Sequence, residues 1–216
     1  FAGGSLIATF IQGMTVGALV EGLQFTNGEY SGGAVGWLTP FAVLCGIGLC
    51  LGYALLGACW LVRKCEAGVQ RTARRQISRL AIGVLAFLVI VFAYALAEHL
   101  PILHRWIDRP YLLVFPAIGA IAAIVLALSI VDHNDYLPFY MVAIIFASAF
   151  GTLALSFWPY MIPSVITVDQ AAAPQSSLVF MFWGCGVVVF PLMLIYTLIS
   201  YSVFRGKVRA TDGYGH

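Results

Sequence analysis

Residues 111–131 read YLLVFPAIGAIAAIVLALSIV, and none of them carries a charge. A helix rises about 1.5 Å per residue, so about 20 apolar residues cross a hydrocarbon core about 30 Å thick. The apolar residues run all round such a helix, as expected where lipid and other helices surround it. This stretch therefore predicts a membrane-spanning helix.

Stretches of the same kind recur along the chain. The predicted spans are 4–23, 37–62, 80–98, 111–131, 139–162 and 178–204. Strands of a membrane barrel would alternate apolar and polar residues over about ten positions, and the sequence lacks that alternation. We therefore predict an all-α, polytopic transmembrane helix bundle of about six spans over residues 1–204, followed by a polar tail at 205–216.

The composition excludes a soluble domain. Hydrophobic residues make up 62% of the chain and charged residues 9%, whereas a soluble domain carries about 25% charged residues. So few charges cannot cover a surface that faces water, and we expect lipid rather than nucleic acid around this chain. None of the five cysteines forms a CxxC pair, and we interpret them as apolar packing residues or free thiols.

The positions of the eleven Lys and Arg residues predict the orientation in the membrane. Two groups hold nine of them, one between the second and third spans and one in the tail: Arg63, Lys64, Arg71, Arg74, Arg75, Arg79, Arg205, Lys207 and Arg209. Cytoplasmic loops retain positive charge. An even number of spans separates the groups, so we predict that both chain ends are cytoplasmic. The cluster from Arg71 to Arg79 also allows binding of an anionic lipid, although a plain topology signal is the favoured interpretation.

A few polar residues lie inside or at the ends of the predicted spans, where ionisable groups are costly. Gln12 lies near the middle of the first span, Glu21 ends it, and Glu98 ends the third. Gln12 and Glu21 are candidates for contact with a partner helix, a quinone or a proton path. The alternatives are a hydrogen bond from Gln12 to another helix and interfacial positions for Glu21 and Glu98.

Small residues recur at four-residue spacing in the first two spans. Gly13 and Gly17 form a GxxxG pattern in the first, and Gly48 and Gly52 form another in the second. Small residues at this spacing let two helix backbones approach closely. We therefore expect a tight bundle, although the pattern is too frequent in membrane helices to identify one partner.

The sequence offers no self-contained active site. Its four histidines, His99, His104, His133 and His216, lie at span ends, in connectors or at the terminus, whereas a buried haem needs an axial ligand inside a span. An HExxH motif, a phosphate-binding Gly loop and a nucleophile elbow are all absent from the sequence. We expect no catalytic, metal-binding or haem-binding residues in this chain.

Several short motifs in a fixed order resemble a known family. They are FWPYMIP at 157–163, APQSS at 173–177, FPLMLIYT at 190–197 and YSVFRGKV at 201–208, with supporting similarity at 4–22, 38–46 and 109–119. This order resembles subunit II of cytochrome bd-type quinol oxidases, and 109–119 is similar to the cyanide-insensitive branch. Additional N-terminal spans of that subunit have no counterpart here, so we expect the chain to be its later two-thirds.

The resemblance implies a function for the whole complex. Such oxidases oxidise quinol and reduce dioxygen to water in the bacterial cytoplasmic membrane. Subunit I holds the haems b and d, and subunit II binds no haem and packs against it as a heterodimer. The expected role of this chain is to support subunit I, with a structural quinone or lipid as a candidate ligand.

Two alternatives from other functional classes stay open. One is a fragment of a secondary transporter, which would show an internal repeat and broken helices with polar groups at the midplane. The sequence shows no convincing repeat between its first three and last three spans. The other is a purely structural or assembly protein of the membrane.

Overall fold

The structure, a computed structural model, describes residues 1–26, 29–97, 110–132, 134–163 and 165–203. Within these ranges, six helices are long and apolar enough to cross a membrane. They are α1 (Ala2–Glu21), α2 (Pro40–Lys64), α3 (Ala67–Ala97), α4 (Val114–Val131), α5 (Leu137–Phe157) and α6 (Gln175–Val203). The prediction of an all-α polytopic bundle is confirmed.

Helix α3 begins much earlier than the sequence analysis predicted. It starts at Ala67 rather than at residue 80, and only Cys65 and Glu66 separate it from α2. Arg and Gln are good helix formers, so the basic segment forms the first turns of α3 rather than a connector. With 31 residues, α3 is about 46 Å long, which exceeds a hydrocarbon core of about 30 Å. Its basic first turns therefore extend beyond the hydrocarbon.

Helix α5 ends earlier than predicted, at Phe157 rather than at residue 162. Pro159 follows, and proline has no amide hydrogen with which to continue a helix. The chain then forms a short antiparallel hairpin, in which Tyr160–Ile162 pairs with Ile166–Thr167. A second two-stranded hairpin, Phe25–Thr26 with Glu29–Tyr30, lies in the connection between α1 and α2.

Helix α6 differs from the other five in its packing. None of its residues from Gln175 to Val203 is buried. Near its end, the ring centroid of Tyr201 lies 6.3 Å from that of Trp60 in α2. A π-helical stretch, Phe182–Val189, precedes Pro191, and local π geometry is one way in which membrane helices accommodate a proline.

The core lies between α2, α3, α4 and α5. Its members are small or branched apolar residues: Leu55, Ala58, Cys59, Val62, Ala73, Ile77, Ala81, Val84, Leu126 and Val142. A smaller cluster of Met14, Ala18 and Ala42 joins α1 to α2. Helix α2 contributes to both clusters, so it is the central helix of the described bundle.

The helix ends form two distinct groups. The end of α2, the start of α3, the end of α4 and the start of α5 meet around one cavity, described below. Tyr201 brings the last turn of α6 to the same end of the bundle. At the opposite end, the last residue of α1 meets the start of α2 and the last turns of α3.

Candidate functional site

Glu21 forms a polar cluster where α1, α2 and α3 meet. The Thr39 hydroxyl donates to Oε2 of Glu21, and the Tyr94 hydroxyl donates to Oε1 over 3.2 Å. Thr39 also caps α2, because its hydroxyl oxygen accepts the amide of Ala42 at 3.0 Å. The ring of Phe41 stacks on Tyr94 with centroids 4.6 Å apart. A single carboxylate thus links three helices at one end of the bundle.

Gln12 lies on the other side of α1. It is exposed, as are its neighbours Ile11 and Thr15, whereas Gly13 and Met14 face α2 and are buried. The Thr15 hydroxyl donates to the carbonyl of Ile11 within the same helix, at 2.9 Å. The described residues offer no comparable partner for the Gln12 amide. Gln12 and Glu21 are therefore not brought together, since Glu21 bonds to Thr39 and Tyr94 instead.

The predicted packing glycines meet two kinds of neighbour. A Cβ added at Gly13 would lie 2.7 Å from the carbonyl oxygen of Cys45, and one added at Gly17 would lie 2.8 Å from Cα of Ala42. These two glycines therefore let the backbones of α1 and α2 touch. Gly48 and Gly52 instead leave room for aromatic rings, those of Phe87 from α3 and Phe146 from α5.

An aromatic cluster surrounds Arg63 at the end of α2. The guanidinium carbon of Arg63 lies 5.0 Å from the centroid of Tyr140 and 5.5 Å from that of Phe139. Trp60 and Tyr136 are slightly farther away, at 5.7 and 5.9 Å. Cations within about 6 Å of a ring face are attracted to it. Arg63 thus holds the end of α2 against the start of α5.

Arg74 forms an ion pair with Asp135, which lies in the turn between α4 and α5. Gln70 supports this pair by donating to Oδ2 of Asp135 at 3.1 Å and to the carbonyl of Val62 at 3.2 Å. These contacts join α2, α3 and the α4–α5 turn. One arginine of the basic cluster therefore has a fixed structural partner.

The structure contains two notable cavities at the basic end. The first, about 240 Å³, lies between α3 and the α4–α5 turn, and its lining includes Arg71, Arg74, Arg75, Ser78 and Asn134. The second is an open apolar groove of about 610 Å³ between α2 and α3, with a small-residue floor of Ala54, Gly57, Ala58, Gly68 and Ala73. The first has the charge to bind an anion, and the second has room for an apolar chain.

Some predicted residues lie outside the part of the chain that the structure describes. These are Glu98, the tail from residue 205, and all four histidines. Within the described residues, His, Cys, Asp and Glu side chains do not gather in any group of three that could hold a metal ion.

Four residues that complete these clusters were not predicted from the sequence: Thr39, Tyr94, Asp135 and Gln70. Thr39 carried a usable signal, since Thr followed by Pro at the start of an apolar stretch is typical of a helix N-terminus. Tyr94 lies 73 residues from Glu21, and Asp135 lies 61 residues from Arg74. No local pattern predicts pairings across such separations.

Comparison with known proteins identifies the family of this bundle. A model of the family described as cytochrome bd terminal oxidase subunit II matches residues 1–204. The chain belongs to the cytochrome bd terminal oxidase subunit II family. The resemblance seen in the ordered motifs at 157–208 is thereby confirmed.

A curated relative supports this subunit II assignment. The chain is 26% identical over 245 aligned positions to a protein of Haemophilus influenzae named probable cytochrome oxidase subunit 2. The alignment covers 97% of this chain and 65% of the relative, so the chain spans about two-thirds of the relative's length. Both comparisons therefore point to subunit II of a cytochrome oxidase.

Proposed function

We propose that this chain is part of the haem-free subunit II of a bd-type quinol:oxygen oxidoreductase in a bacterial respiratory chain. The complex would lie in the cytoplasmic membrane and reduce dioxygen with electrons from quinol. The observation that carries this proposal is the family match over residues 1–204. Six helices with the length and composition of membrane spans support the membrane location.

In this proposal the chain itself is not catalytic. Its partner, subunit I, holds the haems b and d and oxidises quinol. The sequence supports this division, because all four histidines fall outside the middle of the predicted spans and haem iron needs an axial side-chain ligand. The chain would support subunit I and limit proton leakage through the shared membrane region.

The exposed faces of the bundle suggest how subunit I is contacted. Lipid provides little hydrophobic driving force between helices, so exposed apolar residues alone do not indicate a partner. Gln12 is different, because it exposes a polar amide near the middle of α1. An amide in hydrocarbon is costly unless another helix supplies a hydrogen bond. We therefore assign the Gln12 face of α1 to the interface with another subunit.

The proposed orientation has both chain ends in the cytoplasm. Tyr201 in the last turn of α6 contacts Trp60, which is close to Arg63 and Lys64 at the end of α2. The end of α6 therefore lies at the same end of the bundle as these basic residues, which supports this orientation. Basic residues concentrate on the cytoplasmic side. The Glu21 cluster would then lie near the opposite, outer surface.

The decisive experiment is to isolate the full-length protein, tagged on this subunit, from native membranes. We expect a haem-bearing partner to co-purify, with visible haem absorbance and quinol-dependent oxygen consumption. Deleting the gene should abolish this activity, and complementation should restore it. Recovery of the protein without a haem-bearing partner and without visible absorbance would contradict the proposal, and would favour the transporter or assembly alternative.

A further inference from the structure

The cavity at the basic end combines charge with an apolar wall. Three arginines, Arg71, Arg74 and Arg75, line it from α3, where residues three and four positions apart share one face of the helix. Ser78 and Asn134 add polar groups, and the remaining lining is apolar: Val62, Ile77, Ile130 and Pro138. A ligand that fills this space must itself have a polar anionic part and an apolar part.

The charges in the cavity are only partly compensated. Asp135 pairs with Arg74 and so offsets one of the three positive charges. Arg71 and Arg75 are exposed and make no ion pair with a carboxylate in the described part of the chain. Two guanidinium groups therefore remain for a ligand, and the planar arrangement of their N–H groups suits phosphate oxygens.

Asn134 is oriented to act as a donor in this cavity. Its side-chain oxygen accepts the backbone amides of Tyr136 and Leu137, at 2.9 and 3.0 Å. These two bonds fix the oxygen at the start of α5, which leaves the side-chain NH2 group as the end that can donate to a ligand. The donor is therefore held in place before any ligand binds.

We propose that this cavity binds the phosphate of an anionic phospholipid. Arg71 and Arg75 would contact the phosphate oxygens, and the Val62–Ile77–Ile130 wall would contact the glycerol and the upper acyl chains. The cavity lies where α3 extends beyond the length needed to cross the hydrocarbon, which is the level of lipid headgroups. The inference depends on membrane-spanning helices, but not on the oxidase assignment.

Native mass spectrometry of the full-length protein, purified with its natural partners, tests this site with added phosphatidylglycerol. We expect the wild-type protein to retain a bound lipid. The double variant Arg71→Gln/Arg75→Gln should lower the bound fraction about ten-fold, because it removes both uncompensated charges. Arg79→Gln is the control for the single variants Arg71→Gln and Arg75→Gln, since Arg79 is exposed on the same helix but does not line the cavity. It removes one charge, as each of them does, and it should lower binding less than either of them.

Selectivity of the wild-type protein gives a second measurement that needs no variant. Phosphatidylglycerol should bind more tightly than zwitterionic phosphatidylcholine, and millimolar inorganic phosphate should not displace it. Equal binding of the two lipids would overturn the proposal, and displacement by phosphate would show a free-anion site instead. Equal losses in the three single variants Arg71→Gln, Arg75→Gln and Arg79→Gln would also overturn it, since that result indicates diffuse attraction to the basic surface.

Discussion

Glu21 illustrates how one carboxylate can organise the end of a membrane bundle. It terminates α1 and accepts hydrogen bonds from Thr39 and Tyr94, which belong to the start of α2 and the last turns of α3. Hydrogen bonds to a charged group are stronger than those between neutral groups. The position at the end of a span, rather than its middle, keeps the carboxylate close to water.

Replacing Tyr94 by Phe should destabilise the protein by about 1 kcal/mol or more, because Oε1 of Glu21 loses a donor while the ring stack on Phe41 remains. Thermal unfolding of the detergent-solubilised full-length protein would measure this as a lower midpoint. Tyr53→Phe is the control: Tyr53 stacks on Phe146, and its hydroxyl has no hydrogen bond within the described residues. Equal midpoints for the two variants would contradict a stabilising role for the Glu21 cluster.

Gln12→Leu should weaken association with the partner subunit without unfolding the bundle, because it removes an exposed amide from α1. Interhelical hydrogen bonds in membranes contribute about 1 kcal/mol, which corresponds to roughly a five-fold loss of association. The yield of co-purified partner measures the effect. Thr15→Val is the matched control, since Thr15 lies on the same exposed face but bonds within its own helix. If both variants retain full association, the interface lies elsewhere.

At the scale of elements, α1 and α2 pack through backbone contact. Gly17 lies opposite Ala42, and Gly13 lies opposite Cys45 and Gly46, so the two helices run antiparallel. The opposite ends of α2 use different contacts, with the Glu21 cluster at its start and the aromatic cluster around Arg63 at its end. Helix α2 is thereby fixed to its neighbours along its whole length.

Gly13→Ala should destabilise the bundle by about 1–3 kcal/mol, the usual cost of overpacking a close contact. The added methyl would lie 2.7 Å from the Cys45 carbonyl oxygen, and backbone atoms cannot turn aside as a flexible side chain does. Gly4→Ala in the same helix is the control, because nothing lies within 4 Å of its added Cβ. Thermal unfolding should separate the two variants, and equal stability would contradict the close approach of α1 to α2.

At the scale of the whole molecule, the bundle has one basic end and one end built around Glu21. The basic end gathers the Arg63 cluster, the Arg74–Asp135 pair and the cavity lined by Arg71 and Arg75. Helix α6 reaches this end, where Tyr201 contacts Trp60, but none of its residues is buried. The two ends therefore differ in the charge that they present to the membrane surfaces.

This asymmetry predicts which surface faces the cytoplasm. In a background with the five native cysteines replaced, Ser31→Cys in the α1–α2 connection should react with a membrane-impermeant maleimide added to intact cells. Glu66→Cys, between α2 and α3, should react only after the membrane is opened, because the positive end stays inside. Both substituted positions are exposed. The reverse labelling pattern would contradict the proposed orientation.

The sequence by itself determined the number of spans, their helical state and the family. Each of these depends on properties of single segments: apolar length, the need to satisfy backbone hydrogen bonds within a segment, and ordered local motifs. It did not determine where α3 begins, because hydropathy detects the hydrocarbon-crossing part of a helix and not its polar extension.

Only the tertiary structure decided which side chains meet. Glu21 with Tyr94, Arg74 with Asp135, and Gly48 with Phe87 each join residues from different helices. Such pairs depend on the rotation and axial position of each helix, which many packing contacts set jointly. In lipid the apolar faces look alike on all sides, so close packing and a few polar contacts, rather than a hydrophobic pattern, select the arrangement.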